Sequence, residues 1–168
     1  MTKEQIISID FDKTPDIHIR VICNDDPNEI KQQKIKYPFE LFNTVRVTIT
    51  TTERVFNFNI YNGFVWDGAN IPRFFYRLIG SRTSNRFLIA SLLHDFILDM
   101  KYYIMRNCIK EDITIPEYRR LTSLIFRETI KKHGTNTIKA NIMSFFIDVF
   151  QHYFNKKRWK IENFTKGN

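Results

Sequence analysis

Cysteine occurs only twice, at Cys23 and Cys108, far apart and without the C-x-x-C spacing of a zinc site or a redox pair. Each reads as a small buried hydrophobe of a reducing compartment rather than as a ligand or half of a disulfide. No stretch offers about 18 uninterrupted apolar residues, so no membrane-spanning helix is expected. The opening, MTKEQIISIDFD, has no apolar run of signal-peptide length and carries acids early, which makes a cytoplasmic location the default expectation. Glycine is scarce, at five residues. There is no glycine-rich phosphate loop, no G-x-S-x-G elbow and no H-E-x-x-H, so the signatures of phosphate-loop NTPases, elbow hydrolases and zinc peptidases are missing. A Gly/Ser linker and an internal repeat are also missing, and 168 residues suit one domain spanning 1–168.

What is present is enough to build a core. The apolar fraction is 43%, with 16 phenylalanines, which argues against a disordered chain. The net charge of +8 is carried by one part of the chain. Residues 1–100 hold 12 basic and 12 acidic side chains, whereas residues 101–168 hold 14 and 6, so the whole excess (14 − 6 = 8) lies in the last third. A one-sided basic segment suits phosphate, an acidic partner or an anionic surface. Here the cations are interleaved with core-type residues, so the segment reads first as a solvated face. The tail Lys156-Lys157-Arg158-Trp159-Lys160 mixes cations with an aromatic, as nucleic-acid contacts do, but reads first as a frayed, solvated helix end whose cations complement the helix dipole. Nucleic-acid binding through this third is the weaker expectation.

Residues 1–66 read as strands. Ile6–Phe11 alternates loosely, and DIHIRVIC (16–23) places Ile17, Ile19 and Val21 on one face. The polar stretch 24–36, with its Asp26-Pro27-Asn28 turn signal, reads as a loop. Val45, Val47 and Ile49 alternate with polar residues, Thr51-Thr52-Glu53 turns the chain, and Phe56, Phe58 and Ile60 alternate against Asn57 and Asn59, which together spell a hairpin. Asn62-Gly63 marks a second tight turn, and Phe64 to Trp66 the next strand.

Residues 71–155 read as helices. Ile71-Pro72-Arg73 opens one that stops at Gly80. Ser84 is the N-cap candidate of the next, which carries Phe87, Leu88, Ala90, Leu92, Phe96 and Ile97 and is apolar on nearly all sides, hence central. A third begins near Thr114 with Pro116 in its first turn and closes at His133-Gly134. A last helix, from about Asn136 to Tyr153, presents Ile138, Ile142, Phe145, Phe146, Val149 and Phe150 on one broad face. Residues 156–168 form a basic, irregular tail. Strands followed by helices, without β-α-β alternation, predict an α+β fold: a small antiparallel sheet packed against three or four helices.

Two stretches could carry chemistry. In GFVWDGANIPR (63–73) a charged Asp67 stands between a strand of aromatics and Gly68, at a junction that points a side chain towards a cleft. Asn70 is better placed than Asp67 to cap the following helix, which leaves Asp67 without a capping task. In LLHDFILD (92–99), His94 and Asp95 stand side by side in an apolar helix, and burying such groups is costly unless they are paired or metal-bound. The doublet could supply an imidazole and a carboxylate to a divalent metal, or act as a base with its neighbour; Asp99 lies one turn beyond Asp95. In the nucleotide phosphohydrolases named for that doublet, further His and Asp residues complete the site. This chain has only His18, His133 and His152 besides His94, and none is an evident second ligand. The alternative is a structural network, with the imidazole bonded to a strand carbonyl. Arg73, Arg77, Arg82 and Arg86 flank Asp67 and could pair with these carboxylates or receive an anion.

The pairing of WDGANIPR (66–73) with LIASLLHDFIL (88–98) resembles the phage and prophage domain-of-unknown-function family 1353, whose pattern is T-D-G-A-S-I-P-R, a spacer, then A-A-x-x-H-D-x-L-Y. The resemblance covers about residues 45–155. A third family element, R-x-x-A-D-x-x-F, matches 119–126 with Ser123 where the family has Asp; if that Asp is a ligand, the departure weakens any metal site here. The family implies a phage or prophage setting, in the host cytoplasm or the virion, with phage structural or lysis proteins as partners. It supplies no activity.

The leading expectation is therefore a small hydrolase-like pocket. Asp67, His94 and Asp95 would act as acid and base or bind one divalent metal, and Arg73, Arg77 and Trp66 would hold the substrate. Phosphoester and cell-wall substrates both suit it. The competing expectation is a non-catalytic accessory or virion-associated protein in which the same residues form a buried polar network.

Overall fold

Alternation of apolar and polar residues builds the first half of the molecule. The computed structural model describes residues 4–68, 84–109 and 113–153. Strand β1 (Ile6–Phe11) pairs antiparallel with β4 (Val45–Thr51), which pairs antiparallel with β5 (Val55–Ile60), giving a sheet of order β1-β4-β5. Val45, Val47 and Ile49 from β4 and Phe56, Phe58 and Ile60 from β5 are buried on one face; Arg46, Asn57 and Asn59 lie exposed on the other. A turn closes the expected hairpin: Thr51 N–H donates to the Arg54 carbonyl, and Thr51 Oγ1 accepts from the Glu53 and Arg54 amides.

A second, smaller sheet was not anticipated. It runs β2-β3-β6, antiparallel, from Ile17–Ile19, Phe39–Leu41 and Val65–Trp66. The strand expected over 16–23 is thus only three residues long, and Ile19 and Val21 are exposed rather than on a core face. The expected loop at 24–36 holds helix α1 (Asn28–Lys36). None of its residues is buried, so hydrophobic periodicity had nothing to reveal. Local polar bonds hold it instead: Lys34 Nζ reaches the Val21 carbonyl and Asp26 Oδ2, and Lys31 Nζ the Asn24 carbonyl.

The second half is helical. Helix α2 (Asn85–Asp99) is buried from Phe87 to Leu98 except at the half-buried Asp95. Ser84 is its N-cap by position, but its hydroxyl makes no capping bond. A short α3 (Lys101–Tyr103) runs into a π-helical turn at Ile104–Ile109. Helix α4 (Ile115–Lys132) starts with a reciprocal capping box between Thr114 and Glu117 and ends before Gly134, whose φ is +87°. It packs on α2 and on α5 (Thr137–Tyr153). The broad face expected on α5 is divided between solvent and core. Ile138, Ile142 and Phe145 are 70%, 42% and 63% exposed, while Ala140 and Met143 are buried against Phe87, Ala90, Phe126 and Ile130. Phe146, on the same expected face, is partly buried against that cluster.

One core cluster joins the inner faces of both sheets to α2 and α4, with Ile49, Phe58, Ile60, Trp66, Leu92, Phe96, Tyr118 and Leu121 among its members. The architecture is α+β. Cys23 is exposed and Cys108 half-buried, and neither is in a disulfide, so burial holds for neither in full. No helix among the described residues is long and apolar enough to cross a membrane. The helix expected after Pro72 and the basic tail 156–168 lie outside the described residues.

Candidate functional site

The expected site begins where β6 ends. Trp66, 1% exposed, stacks on Phe64 and lies tilted against Phe39, and its indole N–H donates to Ser91 Oγ at 3.1 Å. The Ser91 hydroxyl in turn donates to the Leu88 carbonyl within α2. Ser91 is three residues before His94 and four before Asp95, so all three lie on one face of α2. The last strand of the small sheet is thereby fastened to the turn of α2 that leads into the doublet. Trp66 serves this joint with its whole ring.

The half-buried Asp67 follows directly, and Gly68 after it. Gly68 has φ +79°, and a Cβ there would stand 2.8 Å from Phe39 Cε2. The Asp-Gly pair thus exists because backbone must pass close over the Phe39 ring in a conformation that disfavours L side chains.

On α2, the His94 and Asp95 side chains are 11% and 13% exposed, and His94 Nδ1 lies 3.0 Å from Asp95 Oδ1. An ionised Asp95 accepts only, so with it Nδ1 is the donor of this bond. The imidazole meets the Phe126 ring of α4 edge-on, with centroids 5.8 Å apart. Further along, the Tyr118 hydroxyl donates to the Ile97 carbonyl at 2.8 Å, and burial pushes the phenol well above its ordinary pKa, so it stays a neutral donor that ties α4 to α2.

Among the described residues no group of three or more His, Cys, Asp or Glu side chains is placed to hold a metal ion. Ser123, at the position where the resemblance has Asp, is buried; its hydroxyl donates to the Arg119 carbonyl and its own carbonyl accepts from Ser144. Arg73, Arg77 and Arg82 lie outside the described residues. Sequence reasoning gave Ser91, Phe39 and Phe126 no role in the site. Only Ser91 had a visible signal: it is the one hydroxyl in LIASLLHD, a helical turn before the doublet.

A family model described as "Protein of unknown function (DUF1353)" matches residues 39–147, from β3 into α5, and so spans both motif segments. No curated protein and no solved structure matches the chain.

Proposed function

This chain belongs to the DUF1353 family, and from that premise we propose that it is a small acid–base hydrolase whose working pair is His94 and Asp95. The observation that carries the proposal is the 3.0 Å bond between His94 Nδ1 and Asp95 Oδ1 in the largely buried helix α2. A carboxylate on Nδ1 holds the imidazole in one tautomer and orientation and stabilises the imidazolium that forms when Nε2 takes a proton. In this reading Nε2 removes a proton from the water that attacks an ester, and returns it to the departing alcohol. Water and ester become acid and alcohol, and the imidazole ends neutral. Asp67 is the second carboxylate, orienting the water, and Arg73 and Arg77 are assigned to an anionic group on the substrate. Trp66 is assigned to positioning through Ser91. Among the described residues Asp67, His94 and Asp95 form no group that could hold a metal ion, so the metal expectation is set aside, and phosphoesters suit the acid–base form. The phage setting, with its phage structural or lysis partners, belongs to this proposal through the family resemblance.

One observation favours the non-catalytic reading. The Trp66–Ser91–Leu88 chain of bonds and the His94 contact with Phe126 are the kind of closed contacts that lock a helix to its neighbours. Nitrophenyl phosphate mono- and diesters, assayed with and without a chelator, separate the readings. His94→Gln and Asp95→Asn are expected to lower turnover about 100-fold or more while leaving the melting temperature within a few degrees. A chelator-insensitive rate selects the acid–base form. If neither ester is turned over and both variants simply melt early, the hydrolase proposal is wrong.

A further inference from the structure

The described arginines divide sharply. Arg20, Arg54, Arg119 and Arg127 each face a carboxylate, on Glu40, Glu4, Asp148 and Glu128 respectively. Arg46 is different: its side chain has no hydrogen bond or ion pair among the described residues, and it lines a groove of about 530 Å³ on the outer rim of the large sheet. Lys13, Asn59, Tyr61 and Tyr103 line the same groove, and their side chains are likewise unengaged. Register explains the grouping. Arg46 and Asn59 are direct cross-strand partners on the outward face of β4 and β5, and Tyr61 continues that face two residues on. Tyr61 and Tyr103 are 62% and 47% exposed.

Each component points to the same ligand chemistry. Two cations face one carboxylate, Asp12, whose Oδ1 is already taken by the Arg46 backbone N–H, so the groove favours an anion. Two exposed tyrosine rings offer planar apolar faces with polar tips, suited to a stacked ring. The Asn59 amide supplies a donor and an acceptor for ring-edge groups. A neutral sugar would use the rings and the amide but leave the cations idle. The volume falls within the roughly 300–1,000 Å³ of small-ligand sites. A second groove, between α4 and α5, also has an unengaged arginine, Arg120, but its other guanidinium, on Arg127, is held by Glu128, and it offers one exposed aromatic, Phe145.

From this juxtaposition we infer that the sheet-rim groove binds a nucleotide unit, free or within a single strand, with phosphate on Arg46 and Lys13 and the base against Tyr61 and Tyr103. The site is independent of His94 and Asp95; Lys13, Arg46, Asn59 and Tyr61 come from the strand-rich part and Tyr103 from α3.

The test is fluorescence anisotropy of the full-length protein with a short fluorescein-labelled oligothymidine, with thymidine monophosphate as competitor. Two phosphate contacts on a single strand predict that affinity falls about sevenfold between about 50 and about 200 mM salt. Arg46→Gln should weaken binding and reduce that salt loss to about threefold, because one contact is gone. Tyr61→Leu should weaken binding with the salt dependence unchanged, and Arg120→Gln should change nothing. Displacement by the mononucleotide assigns the site to free nucleotides; failure to displace assigns it to strands. Absence of binding at the lower salt, binding indifferent to Arg46→Gln and Tyr61→Leu, or loss on Arg120→Gln instead would each overturn the inference. Arg46 and Tyr61 are exposed, so both variants are expected to melt with the parent protein.

Discussion

Gly68 carries two constraints at once, and Gly63 only one. Both have positive φ, +79° and +86°, but a Cβ at Gly68 would press into the Phe39 ring, whereas nothing lies within 4 Å of one at Gly63. Gly63→Ala is therefore expected to cost the left-handed penalty alone, about 1–2 kcal/mol. Gly68→Ala should add an overpacking cost and reach about 2–4 kcal/mol. Urea titration of the two variants measures the difference; equal losses would mean that Phe39 gives way freely. Both glycines stood out in the sequence as Asn-Gly and Asp-Gly pairs. The second constraint on Gly68 did not, because it comes from a ring 29 residues earlier that only strand pairing brings near.

Among the elements, α4 was the most legible. Thr114, Pro116, Glu117 and the closing His133-Gly134 are local signals, and local geometry honours them. The Glu117 carboxylate accepts hydrogen bonds from the Thr114 hydroxyl and backbone amide, which hold its pKa below the ordinary glutamate value. A depressed carboxylate stabilises the fold above its unfolded pKa and loses that contribution as pH falls through the folded one. The box should therefore weaken only as the pH falls through and below the usual glutamate range. Thr114→Ala should cost about 1 kcal/mol near neutrality. It should also flatten this part of the acid limb in a series of thermal melts; parallel pH profiles for variant and parent would refute the assignment. Helix α5 shows the opposite case. Its apolar residues surround much of the helix, so hydrophobicity alone could not say which side faces the core; Ala140 and Met143 do, with Phe146 and Ile147 partly covered.

At the level of the whole molecule, strand-then-helix order sufficed for the α+β class, but not for the division into two sheets. Strands of two or three residues, as at β2, β3 and β6, are too short to display a period. The candidate site was legible to the same extent: the doublet and the Asp-Gly pair are written in the chain, while their fastening through Ser91 is a tertiary fact. Both sheets feed one core with α2 and α4, so unfolding should be cooperative. Far-ultraviolet and near-ultraviolet dichroism should give superimposable urea transitions, and a separated pair would show that the small sheet detaches first. The core does not extend to α1. That helix interrupts what is otherwise a plain hairpin: Ile19 lies opposite Phe39, and the Arg20 amide still reaches the Pro38 carbonyl. The interruption precedes the family match, which begins at residue 39. The excursion is in effect a socket: a dye-bearing peptide or a purification handle spliced into residues 24–36 would hang from the hairpin without disturbing anything the fold needs.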